Sequence, residues 1–292
     1  MEIIRSIDWM KQIAREAGLA QRISGFIPTM GALHEGHLSL VREAKRQCSP
    51  VAVSIFVNPT QFGPGEDLQK YPRNLECDCA LLESLGVDYV FAPEAAEIYP
   101  RDFRSVIHVE GLSEKLEGRI RPGHFQGVCT IVLKLFEIVR PRFAYLGRKD
   151  AQQARIIRQM VRDLNLDAEI QVCPIVREAD GLAMSSRNAY LDPPERQAAT
   201  VLYRSLDAAR RKLNSGARAA AEILDTVRST ASSEPLAKLD YVELVDADSF
   251  EPVDFVRAPT LLLIAARIGG TRLIDNLSIE NAGAPQDFSV SL

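Results

Sequence analysis

The amino-acid sequence predicts an α/β protein: a Rossmann-like, doubly wound parallel sheet with a second, smaller α+β domain. Strand-like and helix-like segments alternate through residues 1–176, an order typical of a parallel sheet with helical crossovers. The strand-like segment 51–57 is almost entirely apolar, as expected of a strand buried on both faces. The alternation stops after residue 176, and we therefore predict two domains, 1–176 and 177–292.

The elements of the first domain are predicted from the spacing of apolar residues. Short apolar runs that precede a turn predict strands, and apolar residues three or four positions apart predict helices. Gly86 lies just past one such helix, where glycine commonly ends a helix. In chain order we predict a strand at 26–29, a helix at 37–47, a strand at 51–57, a helix at 75–85, a strand at 89–91, a helix at 128–139, a strand at 143–146, a helix at 151–163 and a strand at 169–176.

The second domain is predicted to begin with a loop and to combine helices with antiparallel strands. Asp180-Gly181 and Pro193-Pro194 mark turns within that loop. Gly269-Gly270 lies between two apolar runs and predicts a hairpin. The predicted elements are a loop at 177–195, helices at 195–213 and 217–230, and strands at 239–245, 260–267 and 271–276.

The composition is that of a globular protein without a nucleic-acid or membrane partner. Hydrophobic residues make up 46% of the 292 residues and charged residues 25%, enough apolar surface to offset the ordering entropy of folding. The net charge of −4 leaves no basic surplus for a broad nucleic-acid surface. The longest apolar run, 258–266, is too short to span a bilayer, and residues 1–13 have no apolar signal core. We therefore expect a cytoplasmic protein.

The first candidate site, residues 28–37, follows a predicted strand and opens a predicted helix. Its His34 and His37 are three positions apart and so share one helix face. The N–H groups and partial positive charge of a helix N-terminus suit a phosphate. Gly31 and Gly36 allow the backbone to approach a ligand closely. The alternative is that both histidines only cap the helix.

Three further polar segments follow other predicted strands or the domain boundary. Each alone also fits an ordinary polar loop, a capped helix start or a serine-rich linker. Because ligands of open α/β sheets bind beyond the carboxyl ends of the strands, the four segments together indicate one phosphate-binding crevice. The sequence has neither a Walker loop nor a GxGxxG motif. The three segments are 58–63, with Gln61; 147–153, with Lys149, Asp150 and Gln153; and 183–188, with Ser185, Ser186 and Arg187.

These segments resemble the motifs of the pantothenate synthetase (pantoate–β-alanine ligase) family. That family lies within the HIGH-motif nucleotidyltransferase superfamily, whose members pair an N-terminal His-x-Gly-His with a later Lys-Met-Ser-Lys-Ser-like loop. The C-terminal part resembles the family only in length and layout, and Leu146 and Arg148 depart from its more usual residues. The matching stretches are PTMGALHEGH at 28–37, NPTQFG at 58–63, YPR at 71–73, RPGHFQGV at 121–128, GRKDAQQ at 147–153 and GLAMSSRN at 181–188.

The resemblance implies an ATP-dependent ligase. It would condense pantoate with β-alanine to pantothenate through a pantoyl adenylate, with Mg²⁺, and release AMP and pyrophosphate. The resemblance also implies a homodimer in which residues 1–176 bind ATP and pantoate and residues 177–292 form a lid. We expect the loop 62–67 to gate the site, with Gly63 and Gly65 as pivots. The alternatives are an adenylyltransferase or adenylate-forming enzyme acting on another acid, and a nucleotide-binding regulator without turnover.

The resemblance also assigns roles to individual residues. His37 would donate a proton, His34 would contact the ATP phosphates and Lys149 would stabilise the developing charge. No magnesium ligand is fixed, and Asp78 is only a candidate. The substrate-binding residues would be Thr29, Gln61 and Gln153. The ATP-binding residues would be Met30, Gly31, Ala32, Leu33, His34, Glu35, Gly36, His37, Gly147, Arg148, Lys149, Asp150, Val176, Met184, Ser185, Ser186 and Arg187.

Two other histidines are predicted to lie outside the chemistry. His124 precedes a predicted buried helix, where a single histidine is more often a hydrogen-bonded structural residue than a ligand. His108 is expected at the surface without a role. Cys77 and Cys79 have no second cysteine pair and no nearby histidine, so we expect no zinc site there.

Overall fold

The computed structural model describes residues 1–280 and divides the chain into two compact units. The first unit comprises residues 1–148 and 152–173, and the second comprises 149–151 and the chain from 174 onward. The predicted second domain extends to residue 292, so its end lies outside the described residues. Among the helices of residues 1–280, none is both long and apolar enough to cross a membrane.

A six-stranded parallel sheet with helices organises the first unit, which confirms the predicted fold class; five of the six strands were predicted. The strand order is β1-β4-β3-β2-β5-β6. The strands are β1 (Glu2–Ile4), β2 (Gly25–Thr29), β3 (Val51–Ile55), β4 (Tyr89–Phe91), β5 (Phe143–Gly147) and β6 (Glu169–Cys173). The helices are α1 (Ile7–Leu19), α2 (Glu35–Gln47), α3 (Leu75–Ser84), α4 (Ala95–Ile98), α5 (Glu117–Ile120), α6 (His124–Val139) and α7 (Ala151–Asp163).

Consecutive residues of β2 show why the sheet needs helices on both faces. Side chains alternate between the two faces of a strand. Phe26 packs edge-on against Phe136 of α6, with ring centroids 6.2 Å apart. Ile27 belongs instead to the cluster that contains Val41 of α2 and Leu82 of α3. Both β2 side chains are fully buried, so helices on opposite faces exclude water from the strand.

The strand order places the carboxyl end of β2 at the topological switch point. From β2 the chain proceeds through β3 and β4 on one side, and β5 and β6 lie on the other side. In open parallel sheets, the crevice beside such a reversal is where ligands bind. The predicted histidine segment follows β2 directly and therefore lies at this point of the sheet.

The second unit packs helices against an antiparallel sheet of order β7-β8-β9. Its apolar cluster includes Leu206 of α9, Ile223 of α10 and Ile264 of β8, each fully buried. Gly269 and Gly270 form the turn between the last two strands, as predicted. The elements are α8 (Pro193–Ala199), α9 (Val201–Asn214), α10 (Ala220–Ser232), β7 (Ala237–Asp246), β8 (Thr260–Ile268) and β9 (Thr271–Ile279).

Some predicted boundaries are wrong, for local reasons. The helix predicted at 195–213 is two helices that meet at Thr200. The first of them starts earlier because Asp192 and Glu195 form a capping box. The prediction also missed α1, whose buried residues recur at helical spacing after the N-cap Ser6. It missed β1, a three-residue strand at the edge of the sheet with only Ile4 buried.

Candidate active site

The turn between β2 and α2 is held by the buried carboxylate of Asp78. Its two oxygens accept the N–H groups of Ala32, at 2.9 Å, and Leu33, at 2.8 Å. The side chain lies on α3 and is 3% exposed, so these hydrogen bonds replace its lost hydration. Burial raises the pKa of Asp78, and the two hydrogen bonds partly oppose that shift. The carboxylate of Asp78 on α3 therefore fixes the backbone of the turn between β2 and α2.

Gly31 has to be glycine in this turn. Its φ of +81° lies in the left-handed region, and a Cβ there would be 2.9 Å from an Asp78 oxygen and 3.0 Å from Ile55. The Thr29 hydroxyl donates to the Ser54 carbonyl at 2.6 Å and accepts the Gly31 N–H at 3.1 Å. Thr29, predicted to bind substrate, thus already uses its hydroxyl proton within the protein.

His34 and His37 cap the helix that follows. His34 is the N-cap of α2, so the helix starts at Glu35, two residues before its predicted start. The Gly36 N–H donates to Nδ1 of His34 at 3.1 Å, and the His34 N–H donates to Nδ1 of His37 at 3.4 Å. This is the geometry of a capping box, with histidine at both positions.

The capping geometry also selects the histidine tautomer. Because each Nδ1 accepts a hydrogen bond, a neutral ring carries its proton on Nε2. The two rings lie 4.1 Å apart, centroid to centroid, at the N-terminus of α2. Two Nε2–H donors at the positive end of a helix form a suitable site for phosphate oxygens. Capping and ligand binding, which the sequence left as alternatives, are compatible here.

Gln61 lies beyond β3, and its amide is oriented by Asn58. The Asn58 Nδ2 donates to Oε1 of Gln61 at 3.2 Å, while Nε2 of Gln61 points to the sulfur of Met30, 2.8 Å away. The Tyr99 hydroxyl in turn donates to Oδ1 of Asn58 at 2.8 Å. Asn58 is 1% exposed. We did not assign it a role from sequence, because its partner Tyr99 is distant in the chain.

The segment that carries Gln61 rests on the start of α6. A Cβ on Gly127 would be 2.3 Å from the Thr60 carbonyl oxygen, so only glycine permits this approach. The amide of Asn58 also donates to the Gly127 carbonyl, at 3.1 Å. This contact gives a physical reason for the second glycine, Gly127, in the motif RPGHFQGV.

Both ring nitrogens of His124 contact protein groups, which fits the predicted structural role. Its Nδ1 lies 2.8 Å from the Gln61 carbonyl, and its Nε2 lies 3.0 Å from a guanidinium nitrogen of Arg121. Arginine can only donate, so Nε2 accepts and Nδ1 carries the proton. Burial, with a further contribution from the Arg121 charge, lowers the pKa of His124 from 6.5 to about 4. His108 is instead exposed beside Glu114, at 3.1 Å.

Arg121 also anchors the loop 62–67. Its guanidinium donates to both carboxylate oxygens of Glu66, at 2.8 and 2.6 Å. The Arg121 charge and its hydrogen bonds outweigh burial and lower the pKa of Glu66. Gly65 has a φ of +82°, whereas Gly63 is not in the left-handed region. Whether this loop opens and closes remains a prediction.

Two neighbouring glutamines at the start of α7 have different surroundings. Gln152 is 4% exposed and makes three hydrogen bonds to backbone groups of Leu112, Lys115 and Glu117. It therefore fixes the chain before α5. Gln153, the predicted substrate residue, is only half-buried. Adjacent helical residues differ in direction by about 100°, which explains the contrast.

Lys149 and Asp150 lie in the short segment 149–151, which belongs to the second unit. The Lys149 ammonium and the Asp150 carboxylate are 3.7 Å apart. The Lys149 carbonyl accepts a hydrogen bond from the amide of Asn276 on β9, at 3.0 Å. Sequence analysis did not connect these residues, because 127 positions separate them. Gly147 and Arg148, which precede them, belong to the first unit.

The segment 176–188 of the second unit forms a short hairpin. The Met184 N–H donates to the Val176 carbonyl at 3.0 Å, and Arg177 bridges to Ala183 in antiparallel fashion. The hydroxyl of Ser185 then accepts the Arg187 N–H at 3.3 Å and caps a short 3-10 turn. Ser185, Ser186 and Arg187, which were predicted to bind ATP, therefore come directly after a hydrogen-bonded hairpin.

A parallel sheet with a histidine-bearing helix N-terminus at its switch point defines an α/β enzyme of the nucleotide-binding class. The family model described as pantoate-beta-alanine ligase matches residues 2–278. The chain belongs to the pantoate-beta-alanine ligase family.

Individual relatives agree with this assignment. Pantothenate synthetases of Koribacter versatilis and Pseudothermotoga lettingae are 52% and 54% identical to the chain; the alignments cover 97% and 94% of it and 97% and 98% of the relatives. The crystal structure of pantothenate synthetase from Thermus thermophilus has a TM-score of 0.91 at 45% identity, and covers 96% of this chain and all of that one.

A further structure bears on the ligands. The pantoate-beta-alanine ligase of Francisella tularensis, complexed with beta-gamma ATP and beta-alanine, has a TM-score of 0.78 at 38% identity. It covers 95% of this chain and 97% of its own. These findings confirm the predicted family, fold class and ligase activity with ATP as substrate. They do not favour an enzyme acting on another acid.

Replacing Asp78 by asparagine is expected to lower stability and slow the first chemical step. The NH₂ group of the variant would face a backbone N–H donor instead of accepting from it. A buried polar group without its partner costs about 1–3 kcal/mol of unfolding free energy. We expect pyrophosphate release to fall about 10-fold or more, because the turn before His34 shifts. Urea denaturation and a pyrophosphate assay measure the two effects.

Glu76→Gln is the matched control for this experiment. Glu76 lies in the same first turn of α3 but is exposed, so the same chemical change should leave both quantities nearly unaltered. A wild-type rate and stability in Asp78→Asn would show that the turn does not depend on the carboxylate.

The low pKa of His124 predicts a pH dependence of stability. The ordinary pKa of histidine is 6.5, so below that pH the unfolded chain binds a proton that the folded protein does not. The contribution of the neutral His124 to the free energy of unfolding should be complete above pH 6.5 and should be lost as the pH falls toward 4. From about pH 7.5 to about pH 5.5 this amounts to about 1 kcal/mol of unfolding free energy. Urea denaturation at the two pH values measures the loss.

The comparison requires a variant without the buried imidazole. His124→Asn should have a lower stability at neutral pH but a smaller loss on acidification than the wild type. His108→Asn, at the exposed histidine, should retain the wild-type loss. Equal acid sensitivity in the wild type and His124→Asn would refute the assignment of a neutral His124.

Proposed function

We propose that the chain condenses pantoate with β-alanine in two steps through a pantoyl adenylate. In the first step, a pantoate carboxylate oxygen attacks the α-phosphorus of ATP and pyrophosphate leaves. In the second, the β-alanine amine attacks the acyl carbon and AMP leaves. The observation that carries this proposal is the pair of imidazole rings of His34 and His37, whose Nδ1 atoms accept backbone N–H groups at the switch point of the sheet.

The histidines act on the ATP phosphates in this proposal. A phosphoryl-type transition state spreads negative charge over its oxygens, so positioned donors lower its energy without a covalent step. His34 contacts the phosphates, and His37 donates to the departing pyrophosphate. Met30, Gly31, Ala32, Leu33, Glu35 and Gly36 form the turn that carries the two histidines beside the phosphates. Four of their N–H groups, those of Gly31, Ala32, Leu33 and Gly36, already donate within the protein and shape this turn.

The second unit contributes cationic and hydroxyl groups. Lys149 stabilises charge at the α-phosphate, and Ser185, Ser186 and Arg187 bind the phosphates. The Lys149 side chain is 21% exposed, so its ammonium is accessible yet partly shielded from water. The adenosine is held by Gly147 and Asp150 at the ribose and by Val176 and Met184 at the adenine. Arg148 lies in the same ATP-binding segment.

Gln61 and Gln153 bind pantoate. A glutamine amide can donate to a carboxylate and accept from a hydroxyl, which suits a hydroxy acid. The orientation of Gln61 supports its role, because Asn58 fixes its oxygen and thereby the direction of its N–H groups. Met30 lies against Gln61, and Thr29 lies just before Met30. A cationic substrate would favour a carboxylate at these positions instead.

Water has to be excluded while the adenylate waits for β-alanine, because a mixed anhydride hydrolyses. We infer that the loop 62–67 gates the site. The Glu66–Arg121 ion pair supports this, since it gives the loop one defined attachment, to the segment just before α6, that opening would have to break. The assignment of residues 177–292 as a lid domain likewise remains a proposal.

Magnesium would enter with ATP rather than in a protein-held site. Residues 1–280 contain no group of three or more histidine, cysteine, aspartate or glutamate side chains placed to hold a metal. Both oxygens of the candidate Asp78 are engaged with backbone N–H groups. Magnesium commonly binds substrate phosphates with few protein ligands. Bound together with ATP, magnesium would neutralise charge on the phosphates.

The cytoplasmic location and the homodimer are also proposals. The family membership supports them. Sedimentation of the purified protein would distinguish a monomer from a dimer.

The function is tested by product analysis with ATP, Mg²⁺ and pantoate, with and without β-alanine. We expect sustained AMP release only when both substrates are present, together with a product of pantothenate mass. Lys149→Ala and His37→Ala should each lower turnover by about 100-fold, because each removes a transition-state contact.

A lysine outside the proposed site provides the matched control. Lys45→Ala on α2 removes a lysine ion-paired with Asp88 rather than with substrate, and should turn over at the wild-type rate. Pyrophosphate release with pantoate but no amide product would contradict β-alanine as the acceptor. ATP binding without turnover under any of these conditions would instead favour a nucleotide-binding regulator.

A further inference from the structure

Strand β9 contains two consecutive polar residues that are almost completely buried. Asp275 and Asn276 are each 2% exposed, in a strand whose other buried residues include Leu273, Leu277 and Ile279. Burying such groups costs free energy unless they are hydrogen bonded. Neither residue belongs to a motif recognised from sequence, so their partners indicate their purpose.

Asp275 holds the hairpin 176–184. Its carboxylate accepts two hydrogen bonds from the Arg177 guanidinium, at 2.6 and 3.0 Å, and one from the Asn276 N–H, at 2.8 Å. Arg177 also donates to the Gly181 carbonyl at 3.0 Å and lies over the ring of Tyr203. A charge pair buried this completely, with its hydrogen bonds satisfied, fixes the start of the hairpin.

Asn276 holds a different segment. Its Nδ2 donates to the Lys149 carbonyl at 3.0 Å. Consecutive strand residues project to opposite faces of a sheet, so Asp275 and Asn276 reach different neighbours from adjacent positions. In the ladder with β8, Asn276 pairs with Leu263, and the pairing is unbroken before and after this position. The ladder therefore fixes the directions in which the side chains of Asp275 and Asn276 project. One rigid strand therefore contacts both segments of the second unit that contain proposed ATP ligands.

We propose that Asn276 is a positioning residue that acts on catalysis through Lys149. The hydrogen bond fixes the Lys149 peptide group and so limits where the ammonium can point. This inference rests on the proposed role of Lys149 at the α-phosphate. Asp275, through Arg177, does the same for the segment that leads to Ser185. The C-terminal hairpin is thus part of the support of the active site as well as of the core.

The adenylation rate should respond to loss of this hydrogen bond more than the later step does. Misplacement of a catalytic group by about 1 Å can cost about 100-fold in rate. We expect Asn276→Ala and Asn276→Leu, which both lack the donor but differ in volume, to slow pantoate-dependent pyrophosphate release by about 10- to 100-fold. Transfer from preformed pantoyl adenylate to β-alanine should change by less than about 3-fold.

A double-mutant cycle with Lys149→Ala separates positioning from general structural support. If Asn276 acts through Lys149, adding Asn276→Ala to Lys149→Ala should cause no further loss of adenylation. Ser278→Ala, two residues along the same strand and at a partly exposed position, is the control and should retain the wild-type rate. Unfolding midpoints are measured for every variant.

Each outcome decides between the possibilities. Non-additive losses shared by the alanine and leucine variants would support the inference. Additive losses, or unfolding of both Asn276 variants, would overturn it, because Asn276 would then serve the fold alone. Wild-type adenylation in Lys149→Ala would overturn the proposed role of Lys149 and this inference with it. An impaired Lys149→Ala with additive Asn276 effects would overturn only the inference.

Discussion

The arrangement of the first unit's active site depends on a carboxylate buried against backbone N–H groups. Asp78 binds the turn after β2, and that turn sets where α2 begins and so where His34 and His37 lie. A positive φ at Gly31 and the close approach of Asp78 are two aspects of one geometry. The charge is costly to bury, which its raised pKa reflects. The protein thus tolerates an unfavourable burial that fixes the helix N-terminus on which His34 and His37 lie.

Polar contacts also position other residues of the proposed site. His124 and Asn58 fix the two ends of Gln61, at its carbonyl and at its amide. In the second unit, Asn276 holds the Lys149 carbonyl. Catalysis of adenylate formation requires positioning and charge neutralisation rather than an activated nucleophile. A site built from rigidly held donors suits that requirement.

The sequence predicted what local patterns determine and missed what long-range contacts determine. Apolar spacing predicted α7 at its full extent and β4 at all three residues. The motif residues His34, Gln61 and Lys149 each follow a predicted strand, as expected where ligands bind beyond the carboxyl ends of the strands. The supporting partners of these residues were not predictable, because Tyr99 and Asn276 are joined to them only by the fold. The edge strand β1 was missed because only one of its three residues is buried, whereas two of the three residues of β4 are.

In the proposed mechanism, pantoate is activated as an adenylate before it meets β-alanine. The most direct test uses pantoate labelled with ¹⁸O in its carboxylate. When the carboxylate oxygen attacks the α-phosphorus, that oxygen stays on the phosphate after the amine displaces AMP. We therefore expect ¹⁸O in the AMP formed along with pantothenate. Label in inorganic phosphate, with ADP as the other product, would contradict it, because the γ-phosphate would then have been attacked.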